Sequence, residues 1–282
     1  MRKGIYRGNI EIVKHVPGML KLCEIARKTF LDVGLKDPIS ARNYSLEQIE
    51  HLCRRFESSE ETKKCMREVL RYVSKGDIDH IYVDRPRLRI QPSDCNVDKL
   101  SDKKYSFGRF SRTLPVHRDT WGSGISYQIN WWGPLFELDR RRTLQIYPSY
   151  FKKAVPNTSS SWDYEELKKC RRSSNEKDAY PQMPVFQGND SWYKKISLDS
   201  KPIVVEPGDL VLFSGAHLHS SVPNHTGLCR ISTEWRTFDS RDFQDPDMNG
   251  APNVDGTYLR GPRTEWFRNA VTGKRYKSED EK

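Results

Sequence analysis

KPIVVEPGDLVLFSGAHLHSSVPNHTGLCRISTEWRTF (residues 201–238) holds three runs rich in β-branched, aromatic and aliphatic residues, separated by turn signals. Pro207-Gly208-Asp209 supplies the first turn and Pro223-Asn224 the second. Proline fixes φ, glycine allows positive φ, and Asn or Asp bonds its own backbone. The stretch therefore reads as strand, turn, strand, turn, strand. The same texture extends upstream. IDHIYVDRPRLRIQP, from residue 78, alternates and is rich in β-formers. SFGRFSRTLPVHRDT, GISYQINWWGPLFEL and RTLQIYPSYF follow as expected strands with short links.

Before residue 78 the period changes. IEIVKHVPGMLKLCEIARKTFLDVGL has apolar residues at helical spacing, with Pro17-Gly18 expected as a break. In the next segment Ser45 followed by Gln48 predicts a helix start, and Gly76 a stop. Leu46, Ile49, Leu52, Cys53 and Phe56 form one apolar stripe, and Met66, Leu70 and Val73 another. Helices first and then many short strands predict an α+β chain whose strands form a sandwich or barrel. The expected architecture is a single domain built on a double-stranded β-helix (a jelly-roll or cupin-like core) over 78–238. Helices from 1–77 pack outside one sheet. Residues 152–200 are irregular and anchored by Trp162 and Trp192, the pattern of a long functional loop, expected here as an insert or lid. The polar tail 239–282 is expected to wrap the surface.

The chain has 282 residues, with 48 Lys and Arg against 38 Asp and Glu, a net charge of +10. That balance favours an anionic partner. No zinc finger, RNP motif or other nucleic-acid module accompanies it, so a small anionic molecule is expected rather than nucleic acid. No apolar run reaches the roughly 20 residues of a membrane span. The opening MRKGIYRGNIEIVKHVPGML lacks an apolar stretch ahead of a cleavage site, which predicts a cytoplasmic chain. Its six cysteines form no CxxC pair, fit no zinc spacing, and are expected as reduced thiols. The sequons at Asn43, Asn157, Asn189 and Asn224 then carry no sugar.

LPVHRDTWGSG (114–124) places His117 and Asp119 two residues apart in a segment read as a strand. Alternate strand residues share a face, so imidazole and carboxylate project together while Arg118 points away. A neutral imidazole and a carboxylate are two of the three ligands of a facial iron site. The third ligand is sought in GAHLHSSVPNHTGLCR, where His217 and His219 share a face by period two. His219 lies two residues before Ser221 and eleven before Arg230. A metal-bound oxoacid also needs its far carboxylate neutralised, which a buried arginine does bidentately with a hydroxyl beside it. That offset favours His219, although parity leaves His217 open.

HRD at 117–119, PGDLVLF at 207–213, LHSSVPN at 218–224 and Cys229-Arg230 together resemble the phytanoyl-CoA dioxygenase family. The resemblance spans roughly residues 80–238. It implies a dioxygenase that uses Fe(II), 2-oxoglutarate and O2, releases succinate and carbon dioxide, and hydroxylates a small molecule. Cyclisation or desaturation by the same chemistry, or a non-catalytic jelly-roll binding module, are the alternatives. On the family pattern His117, Asp119 and His219 hold the metal, and Arg230 with Ser221 holds 2-oxoglutarate. Halogenases of this superfamily replace the carboxylate with a small residue; here Asp119 is kept, which favours hydroxylation.

Gln128 and Asn130 share a strand face and are further candidates for contacting 2-oxoglutarate. Trp121, Arg87, Arg89 and Arg142 are candidates for the substrate, the arginines because an anion needs cations inside the site. Glu234 and Arg236 follow Arg230 at even spacing and are read as pairing with each other.

Overall fold

The computed structural model describes residues 1–40, 44–93, 113–166, 169, 183–256 and 263–277. The expectations that fall on Asn43, Cys95, Cys170 and the strand start at 106–112 lie outside these residues. Ten described strands form two antiparallel sheets. The larger runs β1 (Glu11–Val13), β7 (Leu210–Ser214), β4 (Ile129–Pro134), β9 (Arg230–Asp239), β2 (Ile81–Val83) and β10 (Arg268–Asn269), with β3 (Arg87–Gln91) also on β9. The smaller runs β6 (Lys201–Pro202), β5 (Leu144–Ile146) and β8 (His219–Ser221).

Strand parity sorts the side chains of the large sheet. Ile129, Trp131, Leu210, Leu212, Ile231 and Trp235 face a helical layer and form one core with it. Trp132, Val211 and Phe213 face the small sheet and pack on Leu144 and Ile146. Tryptophans adjacent in sequence thus serve opposite cores. The helical layer comprises α2 (Pro17–Leu31), α3 (Leu46–Ser58) and α4 (Glu60–Val73). Ser45 makes the expected capping box with Gln48, and Ser59 ends α3 while capping α4.

Several expectations are corrected. Glu11–Val13 is not helical; it follows a short helix, α1 (Arg2–Tyr6), and pairs with β7 at the sheet edge. Three residues with a partner strand gain more from the ladder than from a helical turn they cannot extend past Pro17. Pro17 does not break α2 but begins it, where its missing N–H costs nothing. Gly18 permits close packing, since a Cβ there would meet Val69 Cγ2 at 2.7 Å and the Cys65 carbonyl at 3.1 Å. The tail does more than wrap the surface: β10 extends the sheet beside β2, and Phe267 is buried on Phe238. Within 152–200, α6 (Asp190–Ser197) is capped by Asn189, and Phe186, Ile196 and Val155 are buried. Asn224 is buried too, organising the turn between β8 and β9. Cys23, Cys53, Cys65 and Cys229 are buried and in no disulfide. Among the described residues no helix is long and apolar enough to cross a membrane.

Candidate metal centre

The site lies where β8 meets the segment before α5 (Thr120–Ser123). His117 is not in a strand. It makes one isolated bridge to His219, each backbone N–H donating to the other's carbonyl at 2.9 Å. The chain then turns into α5, so Asp119 reaches the same place by a helical turn rather than by strand parity. Its carboxylate does not cap that helix and is left for the site. Ligand atoms of His117, Asp119 and His219 all lie within 4.8 Å of one another.

Both imidazoles are oriented by the backbone. His117 Nδ1 lies 2.8 Å from the Pro115 carbonyl, and His219 Nδ1 lies 2.9 Å from the His217 carbonyl. A carbonyl only accepts, so each Nδ1 carries a proton and Nε2 is the nitrogen each ring turns toward the cluster. That is the tautomer and ring fixing a metal-binding histidine needs. Burial pushes His219 down to about 3, with His117 adding to the effect, so its ring is neutral. Burial opposes ionisation of Asp119, but Arg236 and the two imidazoles outweigh it and hold the carboxyl well below its usual range.

His217 is excluded by its partners. Its ring nitrogens lie 3.2 Å from the Ser214 carbonyl and 3.1 Å from the Gly8 carbonyl, and its ring packs on Phe151. Burial pushes it down to about 4. It fastens the N-terminal segment to β7 and stays outside the three-residue cluster.

Arg230 opens into the same cavity. It is 1% exposed, donates to the Thr143 carbonyl at 3.0 Å and to Ser221 Oγ at 3.2 Å, and leaves Nε without a partner. No carboxylate of a described residue lies within ion-pair distance of it. Burial and the neighbouring Arg89 push it down to about 9. A buried guanidinium without a counter-ion calls for an anion. The cavity shared by the His–Asp–His cluster, Ser221 and Arg230 has a volume of about 30 Å³.

The other expected site residues stand around the cluster as follows, with Asn130 lining the cavity. Asn130 Nδ2 donates to Asp119 Oδ2 at 2.6 Å, and Gln128 Nε2 donates to Asn130 Oδ1 at 2.9 Å. These amides form a relay behind Asp119. Arg87 pairs with Asp84 at 2.7 Å, and Arg89 with Glu234 at 2.5 Å. Arg142 donates to the Cys229 carbonyl at 2.7 Å and lies 3.5 Å from Asp139. Trp121 donates to Asp255 at 2.8 Å and packs with Tyr147 and Leu218. None of Arg87, Arg89, Arg142 and Trp121 lines the cavity. The expected Glu234–Arg236 pair is also replaced: Glu234 takes Arg89, and Arg236 takes Asp119 and Asp84. Even spacing from Arg230 along β9 was the sequence signal for this inner row; the partners are a diagonal neighbour, Arg89, for Glu234 and two residues outside the strands, Asp84 and Asp119, for Arg236.

No family model and no curated protein sequence matches the chain. Among solved structures it is similar to apo ThoJ, a non-heme monooxygenase, at 14% identity and a TM-score of 0.47, over 91% of this chain and 84% of that one. The epimerase SnoN, solved with Fe3+, alpha ketoglutarate and nogalamycin RO, is 12% identical with a TM-score of 0.48, over 98% and 94%. EctD from S. alaskensis, solved with 2-oxoglutarate and 5-hydroxyectoine, is 13% identical with a TM-score of 0.48, over 84% and 75%. The functional reading rests on this chain's own side chains.

Proposed function

We propose that the chain is an Fe(II)- and 2-oxoglutarate-dependent dioxygenase, built as one domain on a double-stranded β-helix, that hydroxylates a small molecule. One observation carries the reading. Two imidazoles with backbone-fixed Nδ1 and one ionised carboxylate converge beside a buried arginine that has no acid partner. The donor set suits Fe(II), and Arg230 with Ser221 suits the far carboxylate of 2-oxoglutarate. Bound there, the two supply oxygen activation, 2-oxoglutarate leaving as succinate and carbon dioxide.

The residues divide the work. His117 and His219 present Nε2 lone pairs, and Asp119 supplies negative charge. Arg230 gives the cosubstrate its orientation. Phe186 N–H donates to the Val116 carbonyl at 2.8 Å, so Phe186 lies against the backbone beside His117. We read Phe186 and the described residues packed around it as a wall that keeps bulk water from the reacting atoms. The cations first assigned to an anionic substrate are held in ion pairs or bonded to a backbone carbonyl. Among the described residues, Arg230 is the cavity's cation without an acid, and in this reading it serves the cosubstrate. An anionic substrate therefore needs contacts other than Arg87, Arg89 and Arg142.

The test is an anaerobic titration of Fe(II) and 2-oxoglutarate followed by metal-to-ligand charge-transfer absorption. The wild type should develop the band. His219→Ala should lose it, and His217→Gln should keep it. A wild type without the band, or a His219→Ala variant that retains it, refutes the assignment. Aerobic release of succinate separates an enzyme from a binding module.

A further inference from the structure

Resting on that reading of the metal centre, the arrangement around Asp119 carries a finer conclusion. An ionised carboxylate offers about four lone-pair positions, two on each oxygen. Oδ2 accepts from Asn130 Nδ2 at 2.6 Å and from Arg236 Nε at 3.2 Å, which fills it. Oδ1 accepts from Arg236 Nη2 at 3.2 Å and keeps one position. Oδ1 is also the oxygen nearer the imidazole, 3.6 Å from His117 Nε2. The open position on Oδ1 therefore faces the nitrogen that His117 turns toward the cluster.

Arg236 is itself held. Its backbone N–H donates to Asp84 Oδ1 at 2.7 Å, and its Nη1 lies 3.6 Å from Asp84 Oδ2. Asp84 is buried and pairs with Arg87 at 2.7 Å. The fork therefore meets the carboxylate from a fixed direction, at the end of an ion-pair chain Arg87–Asp84–Arg236–Asp119. We propose that Arg236, with Asn130, is the positioning group that makes Asp119 a one-oxygen metal ligand through Oδ1. A carboxylate free to rotate would offer both oxygens and occupy a coordination position that cosubstrate or oxygen needs. Lysine cannot substitute, because a single ammonium lacks the two-pronged geometry that sets the carboxylate plane.

The test uses Co(II) alone as the probe, with calorimetry for affinity and d–d absorption for coordination. Groups behind a metal ligand typically contribute about 10–100-fold in metal affinity. Arg236→Lys and Arg236→Gln should both weaken Co(II) binding by that order, and both should change the d–d spectrum as Asp119 turns. If charge alone mattered, Arg236→Lys would match the wild type and Arg236→Gln would bind more tightly; either result overturns the proposal. Asn130→Leu removes one of the two donors on Oδ2 while leaving the Arg236–Asp84 pair, and should change the d–d spectrum in the same direction by a smaller amount; should the Arg236 variants not fold, an unchanged Asn130→Leu spectrum overturns the proposal. A wild type that binds no Co(II) defeats the metal-centre reading and this inference with it. A wild type that binds, with variants identical in affinity and spectrum, defeats this inference alone.

Discussion

Arg230 is costly to the empty fold and, in the proposed reading, useful to the loaded one. Its guanidinium is buried, has two polar partners and leaves Nε unpaired. Breaking a buried charge pair by truncating one side costs roughly 3–5 kcal/mol. Arg230→Met should therefore weaken 2-oxoglutarate binding by about two to nearly four decades, at ~1.4 kcal/mol per decade. Metal affinity should stay within a few fold, because Arg230 touches none of the three ligands. Without ligand the variant should melt no lower than the wild type, since an apolar chain replaces an uncompensated charge. Calorimetry and a thermal melt read both halves. A variant that binds 2-oxoglutarate normally, or that melts far lower when empty, contradicts the role.

At the scale of the element, the Pro207–Asp209 turn does more than reverse the chain. Gly208 sits at φ 100°, which a side chain would strain. The Asp209 carboxylate accepts from the Glu206 N–H at 2.9 Å, the His15 N–H at 3.0 Å and Lys14 Nζ at 2.6 Å. It thereby joins the turn before β7 to the link between β1 and α2. His15 has a φ of 49°, and its hydrogen bond to Asp209 helps hold it there. Both N–H donors belong to exposed residues, so each hydrogen bond to the charged carboxylate contributes roughly 1.5 kcal/mol, the low end for a charged partner, and the exposed Lys14 adds little. Asp209→Ala should lower stability by roughly 2–4 kcal/mol in urea unfolding at neutral pH. Burial raises the Asp209 carboxyl, but Lys14 and the two N–H groups outweigh it, and its pKa falls below the ordinary value. A carboxyl lowered on folding contributes stability fully above the unfolded value of about 3.9 and loses it as pH falls through the folded value. Asp209→Asn should therefore show a shallower loss of stability below about pH 4 than the wild type. Equal acid limbs would remove Asp209 from the account.

Across the whole molecule, the tail reaches the site through Arg118. This residue points away from the ligand face, as the sequence reading expected, and its destination is structural. Its guanidinium donates to the Tyr150 and Lys153 carbonyls at 2.8 Å, bonds the Ala216 carbonyl, and pairs with Asp255 at 2.8 Å. The side chains of that pair are 2% and 3% exposed. Asp255 also accepts from Trp121 at 2.8 Å and the Val155 N–H at 3.0 Å. One tail carboxylate thus ties together the segment after Asp119, the start of the long insert and the residues before β8. Asp255→Ala should cost roughly 3–5 kcal/mol by chemical denaturation, because it strands a buried cation. Since Arg118 sits between His117 and Asp119, metal affinity should fall as well. A variant as stable as the wild type would show that the tail is only draped over the fold.

The sequence by itself determined the chemistry on offer and the local grammar. HxD, the distal histidines, Ser221 and Arg230 could be singled out because residue types and their offsets are sequence properties. Ser45, Pro207-Gly208-Asp209 and the apolar stripes were legible because caps, turns and periodicity are set within a few residues. The tertiary structure decided which atoms meet. His217 and His219 have the same parity, and tertiary contacts to Phe151 and to the Gly8 carbonyl, more than two hundred residues away in sequence, hold His217 outside the three-residue cluster. Arg87, Arg89 and Arg142 looked alike as inward cations until tertiary contacts gave each an acid, while among the described residues Arg230 has none within ion-pair distance. Residues 11–13 became a strand because β7 offered an unpaired edge, which no local pattern announces. Hydrogen bonds and ion pairs act over a few ångströms, and the fold alone sets those distances between residues far apart in the chain.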